Sequence, residues 1–188
     1  MLKGRFEAIM GAHAAPTLLG LKVASLVAFR KSKFPNFTEL LASYRPCFAC
    51  RGISVCRLSE SRECVLILFY RAAKLERLLA EKETARLLST CGYPEGATLG
   101  ELLAALRQRL QEAEAFPHEI GLFLGYPVED VKGFMQHRGH DFLYSGYWKV
   151  YANETATRRL FDLYTACTKE FCAKLAAGVS LSQLLQAG

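Results

Sequence analysis

Apolar residues fall in blocks along the chain, and their spacing changes from block to block. Residues 1–15 are mixed. From residue 17 to 29 nearly every position is apolar, with Leu18, Leu19, Leu21, Val23, Leu26, Val27 and Phe29 spread round the whole wheel. Pro16 suits the first position of a helix, so the spacing predicts a central helix over 17–29. Residues 30–50 carry Pro35 and Pro46 among scattered polar groups and read as loop, with one short helical turn over 38–43. Two β-rich runs, 52–58 and 63–70, flank the polar residues 59–62 and predict a hairpin. The segment VLILFY in the second run is apolar on both faces, which predicts an interior strand covered on both sides.

Beyond residue 72 the period becomes helical. Leu75, Leu78 and Leu79 mark an amphipathic helix over 72–89, ending before the turn Gly92, Tyr93, Pro94. Thr98 and Glu101 form a capping box ahead of a stripe of Leu99, Leu102, Leu103, Leu106 and Leu110. The stretch FPHEIGLFLGYPVEDVKGFMQHRGHDFLYSGYWKVY, residues 116–151, is the most closely specified. Ile120, Leu122 and Leu124 alternate with Gly121, Phe123 and Gly125, predicting a strand whose second face is glycine-marked. Glycine there serves close packing of a helix or approach of a ligand. Pro127, Glu129 and Asp130 open a helix with a stripe of Val128, Val131, Phe134 and Met135, closed by Gly139. Residues 142–151 predict a last strand, with Trp148 and Val150 facing the core and Tyr147, Lys149 and Tyr151 facing the other way. Asn153 caps a long helix carrying Ala156, Leu160, Tyr164, Cys167, Phe171 and Leu175, and Ser180 with Gln183 caps a short final one. The expectation is an α+β fold, one globular domain over 1–188. It has a sheet of about four strands, the hairpin plus two later ones, packed with five or six helices.

Composition narrows the class. At 51% hydrophobic and 22% charged residues the chain is globular rather than disordered. No apolar run approaches the roughly 20 residues of a membrane span. Glu7 and Lys22 interrupt the regions a signal peptide would need, and seven cysteines, an odd number, point to free thiols and a cytoplasmic protein. Cys47 and Cys50 form a C-x-x-C without a second ligand pair at zinc-finger spacing, so buried thiols are expected rather than a metal site. The net charge of +6 is spread over several segments among acidic residues. Nucleic acid is therefore not the expected partner.

The chemistry-bearing positions are few. No phosphate loop, dinucleotide fingerprint, H-E-x-x-H or G-x-S-x-G occurs, and neither a cofactor nor a catalytic residue is indicated. His137 and His140 are accounted for by the end of a helix and its loop. His118 differs, standing beside Glu119 at the mouth of the glycine-marked strand. The expected pocket gathers His118, Glu119, Gly121, Tyr147 and Lys149 with His13, Lys22 and the N-terminus of the helix opened by Pro16, a set suited to a small anionic ligand.

The phrases FPHEIGLFLGYPVEDVKGF and GYWKVY, with HAAPTLLGLKVASL near the start and Ala156, Phe161, Tyr164 and Cys167 near the end, resemble a bacterial family known as domain of unknown function 3793, found mainly in anaerobic Firmicutes. The resemblance brings no activity with it. It does imply a frequent cysteine at the position of Ala14, which frames an alternative: a relative of a cysteine-hydrolase-type enzyme, inactive because alanine stands where a nucleophile at a helix N-terminus would be, with His118 as its base. A module binding a macromolecule through its basic surface is the third reading.

Overall fold

The computed structural model describes residues 2–112 and 116–187. In chain order its elements are α1 (Leu2–Leu18), β1 (Ala24–Arg30), a 3-10 turn (Lys31–Lys33), α2 (Phe37–Cys50), β2 (Ser54–Glu60), β3 (Cys64–Tyr70), α3 (Ala72–Ala80), α4 (Lys82–Thr90), α5 (Leu99–Glu112), α6 (Ile120–Phe123), α7 (Val128–Gln136), β4 (Tyr144–Ser145), β5 (Lys149–Val150), α8 (Glu154–Ala176) and α9 (Leu181–Ala187). The fold is α+β. Its contacts divide into two compact units, Met1–Ala72 with Tyr164–Gly188, and Ala73–Leu163; α8 belongs to both.

In the first unit β3 is the central strand, antiparallel to β1 on one side and β2 on the other. Val65, Ile67 and Phe69 point to one face and Leu68 to the other, and all four are buried. The hairpin and the interior strand read from the sequence are thus present. Leu58 sits where the β2 register slips, between Arg57 and Ser59, and is fully buried there. Phe6, Met10, Ala14 and Leu18 recur every four residues along α1, all buried, and join Val27, Phe29, Ile67 and Phe69 in one core. An added Cβ at Gly11 would lie 2.8 Å from Leu175 and 3.2 Å from Cys172, so this glycine lets α1 lie close against the later part of α8.

The expected helix over 17–29 is not there. Pro16 lies in the last turn of α1, Gly20 turns the chain at φ 82°, and residues 24–30 form β1. Apolar residues all round the wheel served a strand end to end against β3, from Ala24 opposite Tyr70 to Arg30 opposite Cys64. The expected loop over 30–50 is likewise mostly helix: Phe37, Leu41, Tyr44 and Phe48 make the buried stripe of α2, and Pro46 is carried on its exposed side. The ends of these two helices meet one side chain. Arg71, following β3, donates from Nε to the Thr17 carbonyl (3.0 Å), from Nη2 to that of Leu18 (2.6 Å) and from Nη1 to that of Arg51 (3.0 Å). These carbonyls lie at helix C-termini, where intrahelical partners run out; that of Thr17 also accepts the Gly20 N–H at 3.1 Å.

In the second unit the expected helix over 72–89 is broken into α3 and α4 at Glu81, whose backbone is extended (φ −59°, ψ 135°). The break has a reason in the side chains. Leu75 and Leu79 are buried on α3, and Thr84 and Leu88 on α4; the five-residue step from 79 to 84 would rotate the second pair off the first stripe in a continuous helix. The capping box forms as read: Glu101 Oε2 accepts from the Thr98 N–H at 2.8 Å, and the Glu101 N–H reaches Thr98 Oγ1 at 3.4 Å. The expected strand over 120–124 is instead the single helical turn α6, ended by Gly125 at φ 78°. All five residues from Ile120 to Leu124 are buried, so the alternation there carried no information about two faces. The expected last strand is a short ribbon, Tyr144 opposite Val150 and Ser145 opposite Lys149. Its facing is as read, with Trp148 7% and Val150 0% exposed while Tyr147 is 39% exposed.

Arg71→Met should lower stability by about 3 to 5 kcal/mol, because three carbonyls lose a charged donor at once. Urea denaturation of the full chain measures it; an unchanged midpoint would show that water replaces the guanidinium without loss.

Candidate functional site

The site is built on a buried carboxylate. Asp130, in the first turn of α7 and 1% exposed, accepts the Trp148 Nε1–H at Oδ2 (2.7 Å) and the backbone N–H groups of Tyr151 (2.7 Å) and Ala152 (3.0 Å) at Oδ1. Three donors around one carboxylate tie both the indole and the strand β5 to α7. Around that tie the packing admits no extra atom. A Cβ at Gly133 would fall 2.4 Å from the Tyr151 ring, one at Gly146 would fall 2.4 Å from Phe161, and one at Gly121 would meet Val131 at 2.9 Å and Tyr126 at 3.0 Å. Tyr126 stacks on Trp148 with centroids 4.5 Å apart, and Phe161 meets the indole edge-on at 4.5 Å.

These contacts leave a cleft of about 400 Å³. Its walls include Phe116, Tyr126, Phe134, Tyr147 and Trp148, with Ile120, Leu124 and Val131 deeper. Two basic side chains stand beside the Phe134 ring. The exposed imidazole of His118 meets that ring edge-on at 4.9 Å, and the Lys149 ammonium lies 5.7 Å from its centroid and 4.9 Å from that of Phe142. Lys149 donates one hydrogen bond, to the Gly139 carbonyl at 2.5 Å, which leaves two of its three N–H groups. Among the described residues it has no carboxylate partner.

A family model described as "Protein of unknown function (DUF3793)" matches residues 10–185, nearly the whole chain. The chain belongs to DUF3793. No curated protein and no solved structure matches it.

Within this DUF3793 chain the expected site residues divide. His118, Gly121, Tyr147 and Lys149 all line this cleft. Gly121 stands there because α6 must approach α7 and Tyr126 closely. Glu119 is adjacent in sequence but turned inward: it is 3% exposed, and its Oε1 accepts from Arg109 Nε at 2.6 Å and from the Tyr93 hydroxyl at 3.2 Å. Burial, then the Glu119 charge, pushes the Tyr93 phenol above its usual range, and the same two causes raise the Cys91 thiol. This cluster holds α5 to the turn before α6. His13 and Lys22 belong to the first unit, His13 exposed on α1 and Lys22 half-buried in the turn before β1. Pro16 opens no helix, so the anion-binding N-terminus expected there does not exist.

The same correction removes the geometry behind the cysteine-hydrolase alternative. Ala14 is fully buried near the C-terminal end of α1, where a helix dipole disfavours a thiolate. Cys47 and Cys50 lie on the last turn of α2; Cys47 donates to Ser182 Oγ at 3.1 Å, and all seven cysteines are free thiols. Sequence reading missed Asp130, which had a sufficient role as a first-turn acid. It also missed the wall formed by Phe116, Tyr126 and Phe134, two of which flank the segment taken for a strand.

Two outcomes follow. Asp130→Asn turns one oxygen into a donor, so the indole N–H or the two backbone N–H groups lose their acceptor; stability should fall by about 2 to 4 kcal/mol and the tryptophan emission should move to the red. Emission and urea midpoint both at wild-type values would remove the carboxylate from this role. Burial of the Lys22 ammonium lowers its pKa from 10.5 to about 8. The unfolded chain then binds more protons than the folded one between those values, so the penalty is complete below about 8 and is relieved as pH rises toward 10.5. Lys22→Met should therefore be the more stable protein at pH 7, by roughly 1 to 2 kcal/mol after allowance for the side chain's access to water, and the difference should shrink toward pH 10.5. A difference independent of pH would count against it.

Proposed function

We propose that this chain is a non-catalytic small-ligand-binding or accessory protein of the cytoplasm, and that its ligand is a small anion held in the aromatic cleft of the second unit. The observation that carries this reading is the state of Lys149. Its ammonium has no counter-ion among the described residues and two N–H groups unspent, beside an imidazole that makes no hydrogen bond to the described residues, at the edge of a cleft whose remaining lining is mostly apolar. A concave apolar site with few convergent polar groups is the usual form of a ligand pocket. Asp130, the one acid among the described lining residues, is 1% exposed and already accepts three hydrogen bonds, so it is poorly placed to receive a cationic ligand. The cytoplasmic assignment is supported by seven free thiols. No helix among the described residues is long and apolar enough to cross a membrane.

A thermal-shift screen of small organic anions on the full-length wild type, His118→Ala and Lys149→Met tests the site. A ligand present at 100 times its Kd stabilises the native state by about 2.7 kcal/mol. The expected result is a shift in the wild type that is reduced in both variants. An anion that stabilises all three equally binds elsewhere, and the cleft then has no part in it.

A further inference from the structure

We infer that the ligand is a flat aromatic molecule carrying one anionic group, its ring against the Trp148 and Tyr126 wall and its charge toward His118 and Lys149. The inference rests on the ligand-binding reading above and adds the class of ligand. Shape favours a flat ligand. Trp148 is held at its N–H by Asp130, on one face by Tyr126 and at its edge by Phe161, so these rings are fixed and cannot reshape themselves round a globular ligand. Stacked or edge-on ring pairs gain beyond the area they bury, a gain open only to a ligand that is itself flat. Size limits the ligand as well. At about 400 Å³ the cleft is near the small end of ligand sites and suits a body of one or two rings.

The distribution of charge agrees. Both basic groups stand at the Phe134 ring, and the one acid among the described lining residues, Asp130, is 1% exposed and already accepts three donors. A cationic aromatic would meet Lys149 as a like charge. A polyanion without a ring would leave the cleft-facing parts of Phe116, Tyr126, Phe134, Tyr147 and Trp148 without an apolar partner. A singly charged aryl acid matches both ends.

Trp148 is the sole tryptophan of the chain and forms part of the wall, so its fluorescence reports on this cleft alone. Four probes separate the contributions: phenylacetate, its neutral near-isostere phenylacetamide, the cationic phenethylamine, and acetate. Phenylacetate should change the emission with an affinity at least about tenfold above that of phenylacetamide, the scale of one charge-assisted hydrogen bond, and acetate and phenethylamine should do nothing. Lys149→Met should abolish the preference for phenylacetate over phenylacetamide while leaving phenylacetamide binding within about twofold, which also shows that the cleft is intact. His118→Gln is the second variant, expected to narrow the preference without abolishing it. Equal binding of phenylacetate and phenylacetamide, or tighter binding of phenethylamine, overturns the ligand class. So does silence of all ring probes while inorganic phosphate raises the wild-type Tm and not that of Lys149→Met; in each of these cases the cleft stands as a binding site. Silence of the ring probes together with no anion-induced Tm shift overturns both readings.

Discussion

The Asp130 carboxylate is the interaction on which the second unit's site depends. The ribbon beside it pairs only Tyr144 with Val150 and Ser145 with Lys149, far below what holds a hairpin in water. Its place comes instead from Asp130, which takes the N–H groups of Tyr151 and Ala152 and fixes the indole two residues before Val150. Because Lys149 lies between the residues so held, the same carboxylate determines where the ammonium stands. Arg71 plays the complementary part in the first unit, a cation spent on three carbonyls where Asp130 is an anion spent on three N–H groups. In both units one buried or half-buried charge satisfies backbone and side-chain groups that short elements leave open, which is a stronger use of charge than a surface ion pair.

Three glycines turn that electrostatic tie into a unique packing. Gly133 admits Tyr151, Gly146 admits Phe161 and Gly121 admits Val131 and Tyr126, each at distances a Cβ would not allow. Close approach here is not a route for a ligand to the backbone; it is what lets aromatic rings cover the hydrogen bonds of Asp130 and keep water from competing for them. The cleft is the space left over when these rings are fixed.

How far the sequence showed this depends on whether local spacing or distant pairing decided each element. The hairpin of β2 and β3, the capping box at Thr98 and Glu101, the capping pair at Ser180 and Gln183 and the inward facing of Trp148 are local events, and each was legible. Residues 24–30 were not, because apolar residues on every side fit a buried strand as well as a buried helix, and only the seven-residue register with β3 distinguishes them. α1 was hidden by Gly4, Gly11 and Pro16, although Phe6, Met10, Ala14 and Leu18 carry its period. At 120–124 total burial made a helical turn look like an alternating strand. The site divided the same way: His118, Tyr147 and Lys149 were visible as reactive types beside a well-specified run, whereas Asp130 has a sufficient local reason to be at a helix start and shows its three partners only in three dimensions.

If the cleft takes the ligand proposed above, overall charge alone would not select it. A net charge of +6 draws anions toward the surface, but at physiological salt that field is screened within about 8 Å and does not tell one anion from another. Discrimination has to come from contact. Glu119, the acid nearest to His118 in sequence, is committed to Arg109 and Tyr93, so it neither neutralises the imidazole nor repels an incoming carboxylate from within the cleft. Lys149 is held by Gly139 and by the faces of Phe134 and Phe142, so a ligand that reaches it meets an ammonium already ordered and partly stripped of water. Ordering a lysine costs on the order of 1 kcal/mol of side-chain entropy, and here folding has borne that cost before any ligand arrives. For the ligand proposed above, selectivity would follow from the two ends together: charge at Phe134 and aromatic rings beside it, with Lys149 and Trp148 both placed by the carboxylate on α7.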